Sequence, residues 1–472
     1  MLGRKAITRR RLLKAGIGAL GAGALAACQP AATPQVIEKE VTKIVEGTPQ
    51  IVKETVVVEK TLVVEAGQKP VEIRWVCYAL GEQREKTAQE CADDLMQKNP
   101  NVKVSIEWRP GQGYWDKLQT EFAAGTAPDV TINQMNWVIP GAARGMFLDL
   151  KPFIERDNFP LDEYWYPVNR EWEWRGGLYG LLVYAGGQAL YVNKTLLAEA
   201  GLDLPEPDWT WDDFLMYAQA LTDEEKGQWG VLDANVGPPY WACSFIHGAG
   251  GTVLNDAYNK CTLTEPAAIE GVKFLHDLMF KYKVLPTPAA ESQYGYFGAF
   301  HSGKAGMGFA GTFWVGQVRD AAKSQGFEWE LAHMPVHPQT RKRSVQLGSN
   351  VWSILGNTRY REESWALVAY LGGYEGQRKW MKFGLPGPRS LVESQEFLDV
   401  WKPQDVRIPV SDMECCGHDY YPTADCDEWW SALGQEWGPI WSGEATVEEA
   451  LSRACAAIDE IFARRPPYYE KV

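Results

Sequence analysis

The sequence predicts an α/β protein of two lobes, built on mostly parallel sheet with helices on both faces. Three observations carry that expectation. Strand-like segments alternate with helix-like segments from Val71 onward, the order that gives a sheet with crossover helices. The chain has 472 residues, too many for one ordinary hydrophobic core and suited to two. Beyond the N-terminal leader there is no apolar run of about 18 residues, so no other segment reads as a membrane span.

In chain order, residues 1–27 come first. Arg4, Lys5, Arg9, Arg10, Arg11 and Lys14 make a basic front without an acid. Ala15 to Ala27 is a small apolar run, about half the length that crosses a bilayer. Gly16, Gly18, Gly21 and Gly23 make it a poor helix interior. Basic start, short apolar middle and small residues before a cut define a secretory signal. Leu25-Ala26-Ala27-Cys28 resembles a bacterial lipobox. That resemblance implies cleavage before Cys28 and a diacylglyceryl thioether on it. Thr8 to Lys14 resembles the twin-arginine export motif, although the basic front suits either export route.

Residues 28–69 form the lipidated N-terminus and a low-complexity region. Val36 to Glu46 is echoed by Ile51 to Glu59 and again by Lys60 to Glu65. With no aromatics to build a core, it reads as a stalk that spaces the folded body from the membrane. The β-prone Val56-Val57-Val58 leaves a β-hairpin, or a self-associating segment, as the competing reading.

The folded body begins near Val71. Val71 to Tyr78 alternates as a strand, Glu82 to Lys98 reads as a helix ended by Asn99-Pro100, and Val102 to Trp108 as a second strand. Tyr114 to Ala124 is a second helix stopped by Gly125, and Asp129 to Ile132 a third strand. Ligands of such sheets sit beyond the carboxyl ends of the strands, which directs attention to Tyr78–Gln83 and Asn133–Trp137.

Composition narrows the function. The formal charge is −14, and losing the basic leader makes the mature chain more acidic, so nucleic acid and anionic headgroups are poor partners. Trp occurs 21 times, roughly three times ordinary usage. Its flat apolar face and single donor suit sugar rings as well as cores. There is no Gly-x-x-x-x-Gly-Lys-Ser/Thr, no His-Glu-x-x-His and no Gly-x-Ser-x-Gly. Besides Cys28 there are eight cysteines, and outside the cell an even set points to disulfides. Short loops favour Cys243 with Cys261 and one bridge among Cys415, Cys416 and Cys426. Cys415-Cys416-x-His418 with Cys426 has poor spacing for tetrahedral zinc, and neither metal nor cofactor is expected.

Several segments then match one family in order. Gly125-Thr-Ala-Pro-Asp-Val130, Leu178-Tyr-Gly180, Leu190-Tyr-Val-Asn-Lys194 and Trp209-Thr-Trp-Asp-Asp-Phe214 resemble signatures of extracellular solute-binding proteins, family 1. So do Gly303-Lys-Ala-Gly-Met-Gly308 with Gly311-Thr-Phe-Trp314, Gly384-Leu-Pro-Gly-Pro388, and Thr446-Val-Glu-Glu-Ala-Leu451. Val192 between Tyr191 and Asn193 is a small departure. These are the maltose-binding-protein-like components of ABC importers.

The resemblance implies a periplasmic-binding-protein-like fold whose two α/β lobes are joined by several crossing segments. The crossings fall near Tyr184–Leu190, near Gln346–Trp352 and after Pro388. One lobe takes residues 70–185 and about 350–390, the other 186–349 and about 391–472. A solute lies between the lobes, which close on it and dock on a permease. Aromatic faces and planar polar groups suit a neutral sugar or oligosaccharide. The candidate contacts are Tyr78, Asn136, Trp137, Tyr184, Tyr240, Trp241, Phe313, Trp314, Asn350, Trp352, Arg389 and Trp430. Trp172 and Trp174 read as packing.

The expectation is a monomeric lipid-anchored receptor, on the outer face of the cytoplasmic membrane or in the periplasm of a cell with two membranes. Glycerol phosphate, polyamine and peptide remain alternative solutes. The rival classes are a lipid-anchored glycoside hydrolase, with Asp425, Asp427 and Glu428 as its carboxylates, and a surface adhesion protein.

Overall fold

The computed structural model describes residues 37–45, 48–56 and 70–465, apart from residues 80, 166–170, 234–238, 293, 295 and 296. The leader, the lipobox and Cys28 lie outside them. The chain divides into two compact units, Met1–Val63 and Val64–Val472.

In the first unit, β1 (Ile37–Val45) and β2 (Thr48–Val56) pair antiparallel, from Val45 opposite Thr48 to Ile37 opposite Val56. The first two echoes of the low-complexity region therefore pair with each other. The hairpin named as the competing reading is thus present. Its physical basis is the β-branched Val, Ile and Thr content, which prefers extended backbone.

The second unit carries the remaining strands, in chain order β3 (Val71–Tyr78), β4 (Val102–Arg109), β5 (Val130–Gln134), β6 (Glu173–Trp174), β7 (Gly177–Leu178), β8 (Leu181–Tyr184), β9 (Gln188–Asn193), β10 (Trp229–Asp233), β11 (Ala305–Gly311), β12 (Trp329–Ala332), β13 (Val345–Gln346), β14 (Asn350–Ile354) and β15 (Gly417–His418). Two sheets organise the lobes. The N-terminal lobe has the order β4-β3-β5-β14-β8, and the C-terminal lobe β10-β11-β9-β12.

The expected helix Glu82–Lys98 forms with those bounds, and the one expected from Tyr114 to Ala124 ends at Ala123 with Ala124 as its cap. Thr210 and Asp213 close a capping box before helix Trp211–Ala220, as Thr446 and Glu449 do before helix Val447–Ala463. Each box satisfies two otherwise orphaned N–H groups.

The sheets are less parallel than expected. β3 runs parallel to β4 and β5, but β14 runs antiparallel to both β5 and β8. In the other sheet β10 and β11 are parallel, while β9 opposes β11 and β12. The cause is the hinge. β9 and β14 begin at a crossing and run away from it, opposite to the strands that end there.

Two crossings run side by side. Residues 185–187 lead from β8 to β9, and residues 347–349 from β13 to β14. The Gly348 N–H donates to the Gly186 carbonyl at 2.9 Å, and the Gly186 N–H donates to Ser349 Oγ at 3.0 Å. A Cβ on Gly186 would stand 2.1 Å from the Gly348 oxygen, so the crossings approach this closely only because residue 186 has no side chain. A further touch comes from Leu385, which bridges Ala185.

Tryptophan fills the N-terminal core. Trp75 and Trp380 meet Trp352 with ring centroids 5.1 and 5.6 Å away, and all three are fully buried. Much of the high Trp content is therefore packing rather than site. In the C-terminal core, Trp211, Phe214, Phe245, Phe274 and Phe309 interlock.

The expected bridge among Cys415, Cys416 and Cys426 forms without Cys426, and the expected Cys243–Cys261 pair does not form. Cys261 bonds to Cys455, tying helix Val447–Ala463 to a distant loop, and Cys415 bonds to Cys416. Cys243 and Cys426 are free and buried. Loop length alone misled the pairing, because Cys243 points into the core from helix Cys243–Ala249 while Cys261 faces the last helix.

Candidate functional site

The register of the N-terminal sheet brings four side chains to one edge. Asn350, the first residue of β14, pairs with Gln134 at the end of β5 and with Tyr184 at the end of β8. Tyr78 ends β3 on the same side, since β3 and β5 are parallel. The ladder shifts register between Asn350 and Val351, and such a bulge re-aims the side chain beside it. The chain then turns from β5 into helix Met135–Ala143, which places Asn136 at its start.

The C-terminal sheet answers from across. After β10, the turn Pro239–Ala242 carries Trp241. After β11, the turn Thr312–Trp314 carries Phe313 and leads into helix Val315–Gln325, with Gln317 one turn further on. The Phe313 ring folds back over Gly311, where a Cβ would collide with it at 2.1 Å.

These residues enclose a cleft of about 470 Å³, with Arg84, Ser349 and Tyr420 completing its wall. Its volume lies within the roughly 300–1,000 Å³ of small-molecule sites. Five aromatic side chains face it: Tyr78, Tyr184, Trp241, Phe313 and Tyr420. The side-chain amides of Gln134, Asn136, Gln317 and Asn350 accompany them, and among the described residues none that lines the cleft carries a carboxylate. Burial pushes the Tyr78 hydroxyl well above its ordinary pKa, helped by Tyr184 and Tyr114, while Arg84 opposes the shift. Tyr78 therefore stays protonated, able both to donate and to accept.

Six of the expected residues line this cleft: Tyr78, Asn136, Tyr184, Trp241, Phe313 and Asn350. The side chain of Tyr240 lies outside the described residues. The other five have different places. Trp137 lies flat on Trp115, with centroids 5.6 Å apart and planes 5° apart, and on Tyr114 at 5.8 Å. Trp352 is sealed in the N-terminal core, because Asn350 faces the hinge and residue 352 lies deeper along the strand. Trp314 turns toward Phe297 and His301 rather than into the cleft. Arg389 is engaged by Glu414 at 2.9 Å and by Glu393 at 3.3 Å.

Trp430 is one ring removed from the cleft. It stacks on Tyr420 at 4.4 Å and on Trp429 at 4.5 Å, and its Nε1 donates to the Tyr420 carbonyl. Tyr420 thus presents the face, and Trp430 holds it.

Sequence reasoning missed Arg84, Gln134, Met135, Gln317, Ser349 and Tyr420. Gln134 and Met135 lie within the stretch Asn133–Trp137 and Ser349 within the crossing Gln346–Trp352, both already singled out, though none of the three was named as a contact. Gln317 follows Phe313 by four residues, one helical turn. Arg84 sits in the first turn after β3, inside the stretch Tyr78–Gln83 plus one. Tyr420 had no local signal, since its position depends on a stack built from a later helix.

The carboxylates considered for hydrolysis are otherwise engaged. Asp425 accepts from Arg465 at 2.6 and 2.8 Å, and Asp427 from Arg144 at 2.7 and 3.2 Å and from Trp115 Nε1 at 3.3 Å. Arg144 and Trp115 sit beside the N-terminal sheet, whereas helix Cys426–Ser442 packs on the disulfide-tied last helix. This pair, like the bond from Arg84 Nη2 to the Phe313 carbonyl at 2.9 Å, joins the two lobes.

Residues 80–378 match the family described as bacterial extracellular solute-binding protein. The chain belongs to that family. A binding protein of Brucella abortus is 24% identical over 280 residues, 58% of this chain and 65% of its own length. This chain therefore spans less than two thirds of that relative. An arabinooligosaccharide-binding protein of Halalkalibacterium halodurans is 22% identical over 221 residues, 45% of this chain and 48% of its own. Among solved structures, an ABC substrate-binding protein of Listeria monocytogenes in complex with cycloalternan superposes with a TM-score of 0.76 at 21% identity, covering 84% of this chain and 100% of its own. At that identity the likeness is one of fold: α/β, in two lobes, with a cleft between them.

Proposed function

We propose that this solute-binding protein captures a carbohydrate in the cleft and delivers it to the permease of an ABC importer. One observation carries the reading: five aromatic rings and four neutral amides converge from both sheets on one cavity. Aromatic faces take the C–H surface of a sugar ring, and amides reach its hydroxyls by donating and accepting. Closure removes water from both sides of the solute, which strengthens every hydrogen bond it makes. The cycloalternan and arabinooligosaccharide ligands of the relatives agree with this class.

The lobes take residues 70–185 with about 350–390, and 186–349 with about 391–472. Export follows from the leader. The lipid on Cys28 then holds the receptor near its transporter, and a tethered receptor meets its permease at a high effective concentration. Release into the medium would forfeit that gain.

Binding without turnover fits a cleft wall that offers no pair of carboxylates, the groups a glycoside hydrolase places on either side of the scissile bond. Titration of the full chain with a panel of mono- and oligosaccharides, read by calorimetry and thermal shift, tests the reading. The expected result is saturable binding that raises Tm, with the sugar recovered intact. Absence of any binder in the panel, or catalytic release of sugar, refutes it.

A further inference from the structure

Among the described residues one charged side chain lines the cleft, and it is a cation. Arg84 stands in the first turn of helix Glu82–Lys98, just past the carboxyl end of β3. Its guanidinium carbon lies 5.9 Å from the Tyr184 ring centroid and 5.4 Å from that of Phe383. Its Nη2 donates to the Phe313 carbonyl at 2.9 Å. No carboxylate among the described residues stands within ion-pair distance of it. Four other arginines, Arg109, Arg144, Arg343 and Arg465, each face a carboxylate at 2.6–2.9 Å, whereas Arg319, half-buried outside the cleft wall, leaves Nε and Nη2 without a hydrogen-bond partner among the described residues.

A lone guanidinium is tolerable in an open, wet cleft. Closure strips its water, and a cation without a counter-charge then costs free energy that ring faces and one carbonyl repay only in part. A neutral sugar offers lone pairs but no charge. A carboxylate offers both.

From this we infer that the solute is a uronic-acid-bearing sugar whose carboxylate is received by Arg84. The inference rests on the carbohydrate reading above and narrows it, replacing the neutral sugar expected from composition. The fork geometry permits it. A guanidinium presents two edges for two-point contact with a planar carboxylate, Nη1 with Nη2 and Nε with Nη2. The bond to Phe313 uses one Nη2 hydrogen, so one edge stays open. A single arginine balances a monoanion and leaves a phosphate dianion half neutralised, which favours the carboxylate. The charge also couples to closure, because the same guanidinium already holds the opposite lobe through Phe313.

The test is a matched set of disaccharides: digalacturonic, diglucuronic and dimannuronic acid, each beside the neutral hexose disaccharide of the same linkage. Kd values come from calorimetry on the full chain at low and high salt. The expected result is at least one acidic member bound tenfold or more tighter than its neutral partner, with a preference that shrinks as salt rises. Arg84→Gln is expected to abolish that preference, and Arg84→Lys to keep part of it, since charge survives and the fork does not. Thermal melts of the free variants check that both fold. A neutral partner bound as tightly as its acid, or a preference unmoved in Arg84→Gln, overturns the role of Arg84 and leaves the carbohydrate reading standing. No binding of either member of any pair, nor of any sugar in the wider panel, sinks the carbohydrate reading itself.

Discussion

Acid should unfold the C-terminal lobe through a histidine pair behind the cleft. His247, on helix Cys243–Ala249, stacks on His418 of β15 with centroids 3.9 Å apart and planes 8° apart. Its Nε2 lies 2.8 Å from the Tyr421 hydroxyl. Burial lowers the pKa of His247 from 6.5 to about 3, and His418 and Lys342 push the same way. Burial also lowers that of His418, with Asp419 opposing and Lys342 adding. Both rings are therefore held neutral in the folded state and titrate near 6.5 once unfolded. Below pH 6.5 the unfolded chain binds more protons, so stability falls as pH falls, and the loss continues until the folded pKa is reached. At pH 5 the gap is about 1.5 units, which at 1.36 kcal/mol per unit is about 2 kcal/mol from His247 as an upper bound. His418 adds in the same direction. The assay is urea unfolding at pH 7 and pH 5, for the natural chain and for His247→Gln, which cannot protonate. The natural chain should lose more than the variant between the two pH values, by up to about 2 kcal/mol. Equal losses in both would refute the argument that the pair is held neutral by its surroundings.

Three further perturbations follow from the geometry. Tyr420→Ala should weaken sugar binding by at least ~1 kcal/mol, and by more than Trp430→Ala, because Trp430 acts only by holding Tyr420; calorimetry on both variants decides, and the reverse order would put Trp430 in the cleft. Gly186→Ala should cost about 1–3 kcal/mol, since its Cβ meets a backbone oxygen that no rotamer can move away; an unchanged Tm would show that the crossings have room to part. Removing the Cys261–Cys455 bridge, which closes a separation of 194 residues, should cost about 5 kcal/mol by chain entropy; Cys455→Ser compared by denaturant unfolding measures it, and a loss under ~1 kcal/mol would mean that the unfolded chain is compact without the bond.

Local order was legible where one element determines itself. Val71–Tyr78 and Glu82–Lys98 end where their patterns end, because alternation, helical spacing and the Asn99-Pro100 stop act within a few residues. Strand direction was not local. Nothing within Asn350–Ile354 says that it opposes β5, since that follows from where the chain re-enters the sheet after crossing the hinge. The cysteines show the same limit: spacing favoured Cys243 with Cys261, but the bond goes to a residue on the last helix, and only tertiary packing brings the two together.

The site divides along the same line. Tyr78 and Asn136 were found because an open α/β sheet presents the carboxyl ends of its strands to its ligand, whereas Tyr184 and Asn350 followed from the crossings that the family resemblance implies. Tryptophan was the misleading signal. A ring suited to a sugar is also suited to a core, and Trp352 and Trp137 went to packing while Trp430 went to support. What composition hid was a single charge. The chain is acidic overall, yet among the described residues its cleft is lined by an arginine and no acid. Net charge governs long-range steering, whereas a closed cleft responds to the few groups left inside it once water has gone. An acidic surface repels an anionic solute from a distance and salt screens that repulsion, while the contact with Arg84 acts at short range. The two effects are separable: raising salt should speed the capture of a uronate even as it weakens the final complex. Stopped-flow fluorescence of the cleft tryptophan, Trp241, follows the first of these, and an association rate that falls with salt would place attraction, not repulsion, at the entrance.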